Sequence, residues 1–286
     1  MTHDFNKSDF NNPDYLRNDQ YANSANLGAR IRLHQLYSTS PVDLHRWLFD
    51  HMLADFGNHA RILKLGSGRG DIWAKNVDRI PPGWDVTLSD FSPGMLDDAR
   101  AHIGPAVDRL HFEHINADAI PHEADTFDAV IANYMLYHVP DERRTIAEIR
   151  RVLRDDGCLH AATNGNRHMG ELDDAIAAVL PPHMVTAWRG MSTHTERFRL
   201  ETGADLLRTA FADVQRIDFD DALNVTKVQP VVDYVLSMRG VSTAISPELV
   251  AAFRRHIAAR IEADGVFHIT KSTGLFVARG YAGVAR

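Results

Sequence analysis

Arg61-Ile62-Leu63-Lys64-Leu65-Gly66-Ser67-Gly68-Arg69-Gly70 is a short apolar strand that runs into three glycines at alternate positions. Glycines bring bare backbone amides close to a ligand, and a segment that can turn helical from Asp71 adds a helix N-terminus. The stretch therefore marks a nucleotide-type cofactor site at the end of a β-strand. Its spacing narrows the cofactor. Dinucleotide sites use G-x-G-x-x-G, whose third small residue falls here at Asp71, whereas the third glycine stands one position earlier, at Gly70.

Downstream, short apolar runs alternate with helical segments. Strands are expected near 61–65, 86–89, 110–115, 127–132 and 158–163, with helices near 71–77, 93–102 and 141–153, the last stopped by Gly157. That alternation predicts an α/β fold with a doubly wound sheet. After Asn164-Gly165-Asn166 the rhythm breaks, and 167–200 reads as a helical cap interrupted at Pro181-Pro182. Strand character returns at 214–219 and 274–278, among helices near 202–211, 230–238 and 247–263. Upstream, residues 1–25 are rich in Asn and Asp and read as a tail that orders over a ligand. Leu27, Ile31, Leu36 and Tyr37, then Leu44, Trp47, Leu48 and Met52, mark two helices broken at Ser38-Thr39-Ser40-Pro41, with Pro41 suited to a first helical turn. The expected division is a tail and helical lid (1–56), a cofactor-binding core (57–164), a helical cap insertion (165–201) and a completion of the sheet with further helices (202–286).

Composition sets outer bounds. With 286 residues, 44% of them hydrophobic, the chain can bury one sizeable core with an appendage. A net charge of −7 supplies no general field for nucleic acid or an anionic membrane. The single cysteine, Cys158, excludes an intramolecular disulfide, the first residues lack a signal-peptide pattern, and no apolar run approaches the roughly 18 residues of a membrane span. The expectation is a cytoplasmic protein without nucleic-acid or membrane partners, with a homodimer left open. Sixteen histidines raise the question of a metal, but none falls in H-E-x-x-H or a Cys/His zinc spacing, so no metal is expected.

The partners of the glycine turn point to its ligand. The second strand ends at Asp90, 24 positions after Gly66, where a carboxylate can accept both hydroxyls of a ribose. The alternative role for Asp90 is a helix cap before Pro93. Phe91 beside it can lie on an adenine face or belong to the core. The strand with G-x-G-x-G resembles the first motif of class I S-adenosylmethionine (SAM) dependent methyltransferases. Asn116-Ala117-Asp118-Ala119-Ile120-Pro121 is similar to that family's A-D-A-x-x-L/I-P segment, and Phe127-Asp128-Ala129-Val130 to its F-D-x-V strand. Trp73, Ser92-Pro93-Gly94-Met95-Leu96 and Asn133-Tyr134-Met135-Leu136-Tyr137-His138-Val139 look like the UbiE-like, small-molecule branch. The resemblance covers about residues 61–163. It implies a Rossmann-like, seven-stranded sheet with one antiparallel member and SAM as cofactor. It also implies contacts from Gly66, Gly68 and Gly70, from Asp118 to the adenine amino group, from the Ala119 amide to a ring nitrogen, and from Asn133 beside the methionine portion.

One position departs from the family. Where it usually carries Glu or Asp, two residues before the first glycine, this chain has Lys64. SAM bears a sulfonium and an ammonium, and a second ammonium within several ångströms opposes binding by about 1–4 kcal/mol. Lys64 either pairs with the cofactor's carboxylate or with a carboxylate such as Asp118, or weakens the site, or marks a loss of catalysis.

The expected function is methyl transfer from SAM to a small-molecule acceptor at N, O or C, with specialised metabolism as its setting. His138 is the candidate general base, against a packing role for the same imidazole. Tyr21 in the tail offers a hydroxyl that orients the methyl or the acceptor. Arg30 and Tyr37 from the lid, with His168 and Met169 from the cap, are the candidate substrate residues, although Tyr37 and the cap residues equally suit packing. Two rivals stand beside this reading: a noncatalytic SAM-binding or regulatory protein, favoured by Lys64, and a nicotinamide or flavin oxidoreductase, opposed by Asp71.

Overall fold

The computed structural model describes residues 27–191, 196–238 and 245–283. Helices α1 (Leu27–Tyr37) and α2 (Leu44–Phe56) precede β1 (His59–Lys64). There follow α3 (Asp71–Ala74), β2 (Gly83–Asp90), α4 (Pro93–Ile103), β3 (Leu110–His114), β4 (Phe127–Ile131), α5 (Glu142–Val152) and β5 (Leu153–Asn164). Three helices come next, α6 (Gly170–Ala177), α7 (Pro182–Met191) and α8 (Gly203–Leu207), and then β6 (Asp213–Val225), α9 (Val228–Leu236), α10 (Pro247–Asp264) and β7 (Phe267–Arg279).

The seven strands form one sheet in the order β3-β2-β1-β4-β5-β7-β6. β1 to β5 are parallel, and β7 is antiparallel to both β5 and β6. The chain winds outward from β1 to β3 and then restarts on the other side at β4, so the strand order reverses between β1 and β4. In open α/β sheets the crevice outside the carboxyl ends of the strands at that reversal is where ligands bind.

Alternate residues of the central strands feed two cores. Leu63, Leu65 and Val130 pack with Ile146, Ile149 and Val152 of α5, while Ile62, Val86 and Ile131 pack with Phe49 and Met52 of α2 and Trp73 of α3. Each such side chain contributes about 1.5–3 kcal/mol through burial, and burial on both faces explains why β1 reads as an apolar run rather than an alternation.

β6 and β7 run 13 residues each, longer than the 214–219 and 274–278 expected. β5 pairs only with Thr273–Arg279, so the other half of β7 and its partner in β6 project past the carboxyl edge of the sheet as a two-stranded ribbon. A third core covers that ribbon. Leu223, Val225, Phe267 and Ile269 pack there with Leu33 of α1, Leu172 and Ile176 of α6, Val231 and Val235 of α9, and Phe253 and Ile257 of α10. The cap thus overhangs the edge at which the glycine turn lies.

Smaller departures have local causes. Pro41 precedes α2 rather than opening it, because Asp43 is the cap, accepting from the amides of His45 (2.9 Å) and Arg46 (3.3 Å). The helix expected over 71–77 ends at Ala74 and resumes as a 3-10 turn at Val77–Arg79. Gly157 does not stop α5. It lies within β5 beside a register shift, where a Cβ would meet the Asp128 carbonyl at 2.9 Å. Among the described residues, no helix is long and apolar enough to cross a membrane.

Candidate functional site

A cleft of about 460 Å³ opens at the carboxyl ends of β1, β2 and β4, within the range of about 300–1,000 Å³ usual for small-molecule sites. The glycine turn forms its floor. Gly66, Gly68 and Gly70 have φ of 60°, 53° and 73°, backbone that side-chain-bearing residues rarely adopt. A Cβ on Gly66 would lie 2.9 Å from Met135, and one on Gly70 2.8 Å from Ile103, so these two positions are closed by packing. Nothing stands within 4 Å of a Cβ built on Gly68. Its backbone is open for a ligand to approach. Gly70 caps α3 and does not line the cleft.

Asp90 joins the turn to β2. One carboxylate oxygen accepts from the Gly68 amide and the other from the Ser92 amide, each at 2.9 Å. Both oxygens keep acceptor capacity for a ligand, since a carboxylate offers about four lone-pair sites. Burial raises the Asp90 carboxyl above its ordinary range, while the amides of Ser92 and Gly68 and the charge of Lys64 pull it back.

Lys64 is 4% exposed. Its ammonium donates to the carbonyls of Leu65 and Gly66, both at 2.7 Å, and all three residues line the cleft. It makes no ion pair with Asp118. Burial lowers its pKa to about 7, opposed by the nearby Asp90 charge.

Phe91, Ile115, Asn116 and Ala117 line one end of the cleft. Phe91 is 37% exposed, a large apolar ring left uncovered next to Asp90. Asp118 and Ala119 turn away. The Ala119 amide donates to the Asn116 carbonyl (3.0 Å) and the Asp118 amide to the Asn116 side chain (3.1 Å), closing a tight turn. That turn directs the Asp118 carboxylate to the Thr145 hydroxyl on α5, while Arg144 donates to its backbone carbonyl (3.0 Å).

At the other end stand Asn133, Tyr134, Met135 and His138. The Asn133 side chain accepts from the Ala162 amide (3.0 Å). Tyr134, with φ 56°, hydrogen-bonds Thr273 of β7 through its hydroxyl (2.8 Å), and burial pushes that phenol up to about 12. His138 ends a 3-10 turn, its ring 4.5 Å from that of Tyr137.

The candidate substrate residues lie elsewhere. Arg30 donates to Ser237 after α9, Tyr37 and Met169 belong to the third core, and His168 is in the turn before α6; none lines the cleft. Each is drawn into the cap because the ribbon needs cover. Tyr21 lies outside the described residues. The cleft instead recruits His45 and Leu48 from α2, Asp71, and Tyr134. Tyr134 and Asp71 had a local signal, the one shortly after the F-D-x-V strand and the other directly after the glycine turn. His45 and Leu48 arrive through the packing of α2 on the sheet, which no motif encodes. Among the described residues no group of three or more His, Cys, Asp or Glu could hold a metal ion.

Residues 62–157 match the family described as Methyltransferase domain. The chain is similar to the malonyl-[acyl-carrier protein] O-methyltransferase of Geobacter sulfurreducens, 34% identical over 57% of this chain and 59% of that protein. It is also similar to the ubiquinone/menaquinone biosynthesis C-methyltransferase UbiE of Pectobacterium atrosepticum, 31% identical over 35% and 40%. The match thus spans about two-fifths to three-fifths of these curated relatives. Among solved structures, phosphoethanolamine N-methyltransferase 2 of Haemonchus contortus shares the fold with a TM-score of 0.55 and 17% identity, over 98% of this chain and 61% of that one. Sheet order, cleft position and these likenesses agree: residues 62–157 form a methyltransferase domain on a Rossmann-like sheet.

Proposed function

We propose that the cleft binds SAM and that the protein transfers its methyl group to a small-molecule acceptor, in specialised metabolism. The observation that carries this reading is Asp90 beside the open backbone of Gly68 at the strand-order reversal. Asp90 accepts the ribose hydroxyls, Phe91 and Ile115 flank the adenine, and Asn133 and the Gly66 region face the amino-acid portion. When bound, the cofactor supplies an electrophilic methyl group. The chain's own part is then alignment and exclusion of water, which can be worth several kcal/mol, roughly the lower part of the 7–11 kcal/mol range for well-oriented intramolecular reactions. His138 takes the proton from an acceptor that arrives protonated, and an acceptor with a free lone pair does not need it. The acceptor enters from beneath the cap, past Tyr134.

The fit to a nicotinamide dinucleotide is poor. Asp71 occupies the third-glycine slot, where dinucleotide sites place a small residue; it lines the cleft and its carboxylate pairs with Arg69 (2.8 Å), so a pyrophosphate there would meet a residue carrying negative charge. The noncatalytic reading draws on Lys64. Incubation with methyl-labelled SAM and a panel of amine, phenol, carboxylate and activated-carbon acceptors separates them: label is expected in at least one acceptor. Cofactor binding with no label in any class sinks the transferase and leaves the binding protein.

A further inference from the structure

We propose that Lys64 sets the charge selectivity of the cleft: its ammonium disfavours the sulfonium of SAM against the neutral thioether of S-adenosylhomocysteine, so product binds more tightly than donor. The inference rests on the reading of the cleft as a SAM site. Lys64 is the last residue of β1, two positions before Gly66, paired on one side with Leu88 and on the other with Ile131, so its side chain leaves the sheet at a fixed point. From there the ammonium takes the Leu65 and Gly66 carbonyls, acceptors that an arriving cation would otherwise use. A second positive charge therefore finds those oxygens engaged and a like charge beside them. The neutral sulfur of the product meets no such penalty.

Position follows from chemistry. The sulfur of SAM is one carbon removed from the ribose ring, and the ribose is what Asp90 holds; Lys64 stands close enough to Asp90 for each to shift the other's proton affinity. At an effective dielectric of about 20, two like charges about 6 Å apart change affinity roughly a hundredfold. The penalty depends on pH because burial lowers Lys64 to about 7. The other titratable groups facing the cleft are Asp90 at the end of β2, Asp71 and Arg69 as a mutual ion pair, His45 on α2, and Tyr134 and His138 after β4.

Calorimetric titration with SAM and with S-adenosylhomocysteine, at about pH 6 and about pH 8, tests the proposal on the wild type, Lys64→Met and Lys64→Arg. The quantity read is the ratio of the two dissociation constants, donor over product. Loss of the lysine's hydrogen bonds acts on both ligands and cancels. At about pH 6 the wild-type ratio is expected to exceed that of Lys64→Met by roughly tenfold or more, and the excess is expected to shrink at about pH 8. Lys64→Arg should keep the high ratio at both pH values. The cofactor's own amino group titrates equally in every variant, so the Met ratio removes it. If Lys64→Met does not fold, the wild-type pH series with 5′-methylthioadenosine and its S-methyl sulfonium, which lack that amino group, gives the same reading. Equal ratios in all variants at both pH values overturn the inference alone. Absence of binding by either ligand to any folded variant at millimolar concentration overturns the SAM site itself.

Discussion

Asp90 ends β2 and Asp118 lies in the turn that follows β3, and the structure gives these two carboxylates opposite neighbours. Asp90 binds the amides of Gly68 and Ser92 and faces the cleft, whereas Asp118 binds Thr145 and faces α5. Substitution should therefore separate stability from ligand binding. Asp118→Ala removes one hydrogen bond to an ionised group, about 1.5–3 kcal/mol at most, and is expected to lower the melting temperature by several degrees. Its affinity for S-adenosylhomocysteine should stay within about threefold of wild type, well under the tenfold that 1.4 kcal/mol produces. A hundredfold loss of affinity with an unchanged melting curve would return Asp118 to the adenine.

At the scale of elements, a buried carboxylate reinforces the joint between the α1–α2 connection and the ribbon, where Thr39 also exchanges hydrogen bonds with Ala222. Asp221 on β6 pairs with Lys271 on β7, the two side chains 1% and 7% exposed, and also accepts from the Ser38 hydroxyl (2.8 Å) and the amides of Thr39 and Ser40 (both 3.0 Å). Burial alone would raise this carboxyl, but Lys271 and Ser38 hold it below its ordinary range. Asp221→Ala strands the Lys271 charge, and breaking a buried pair in this way costs about 3–5 kcal/mol. Chemical denaturation should show that loss, while Asp221→Asn, which keeps the acceptor for Ser38 and Thr39, should fall between; equal stability of all three would contradict the joint. The sequence disclosed the elements around it unevenly. β1, β4, α5 and the glycine turn were legible because their patterns are local: an apolar run, a helical stripe, three glycines at fixed spacing. The ribbon was not, since Asp218, Asp220, Asp221 and Lys271 break the apolar alternation that marks a strand, and their pairing joins residues some 50 positions apart. The same cause misplaced Arg30, Tyr37, His168 and Met169. Their residue types suit a pocket, but the ribbon's need for cover, invisible locally, claims Tyr37 and Met169 for the third core, while Arg30 is held on Ser237 and His168 in the turn before α6.

Over the whole molecule, the cap makes folding sensitive to acid. Burial and the charge of Lys271 lower His34 to about 4, against a smaller opposing effect of Asp221. Burial also lowers His168 to about 3, with His34 and Lys271 adding to the effect. Both imidazoles hold protons less tightly folded than unfolded, so below about pH 6.5 the unfolded chain takes up more protons and acid favours it. Each group contributes stability that is complete near neutrality, and between pH 7 and pH 5 each is expected to lose on the order of 2 kcal/mol. Denaturation at the two pH values should show this fall, reduced in His168→Phe; a flat profile would mean that these imidazoles are hydrated. The account as a whole turns on what the cleft holds, and the thioether product is the sharpest probe because it carries no sulfonium to meet Lys64. Titration of S-adenosylhomocysteine into wild type and Asp90→Ala measures it directly. One saturable site in the wild type, weakened roughly tenfold to a hundredfold by loss of the ribose acceptor, is the predicted result; no binding to the wild type at millimolar ligand, or equal binding to the two proteins, would contradict it.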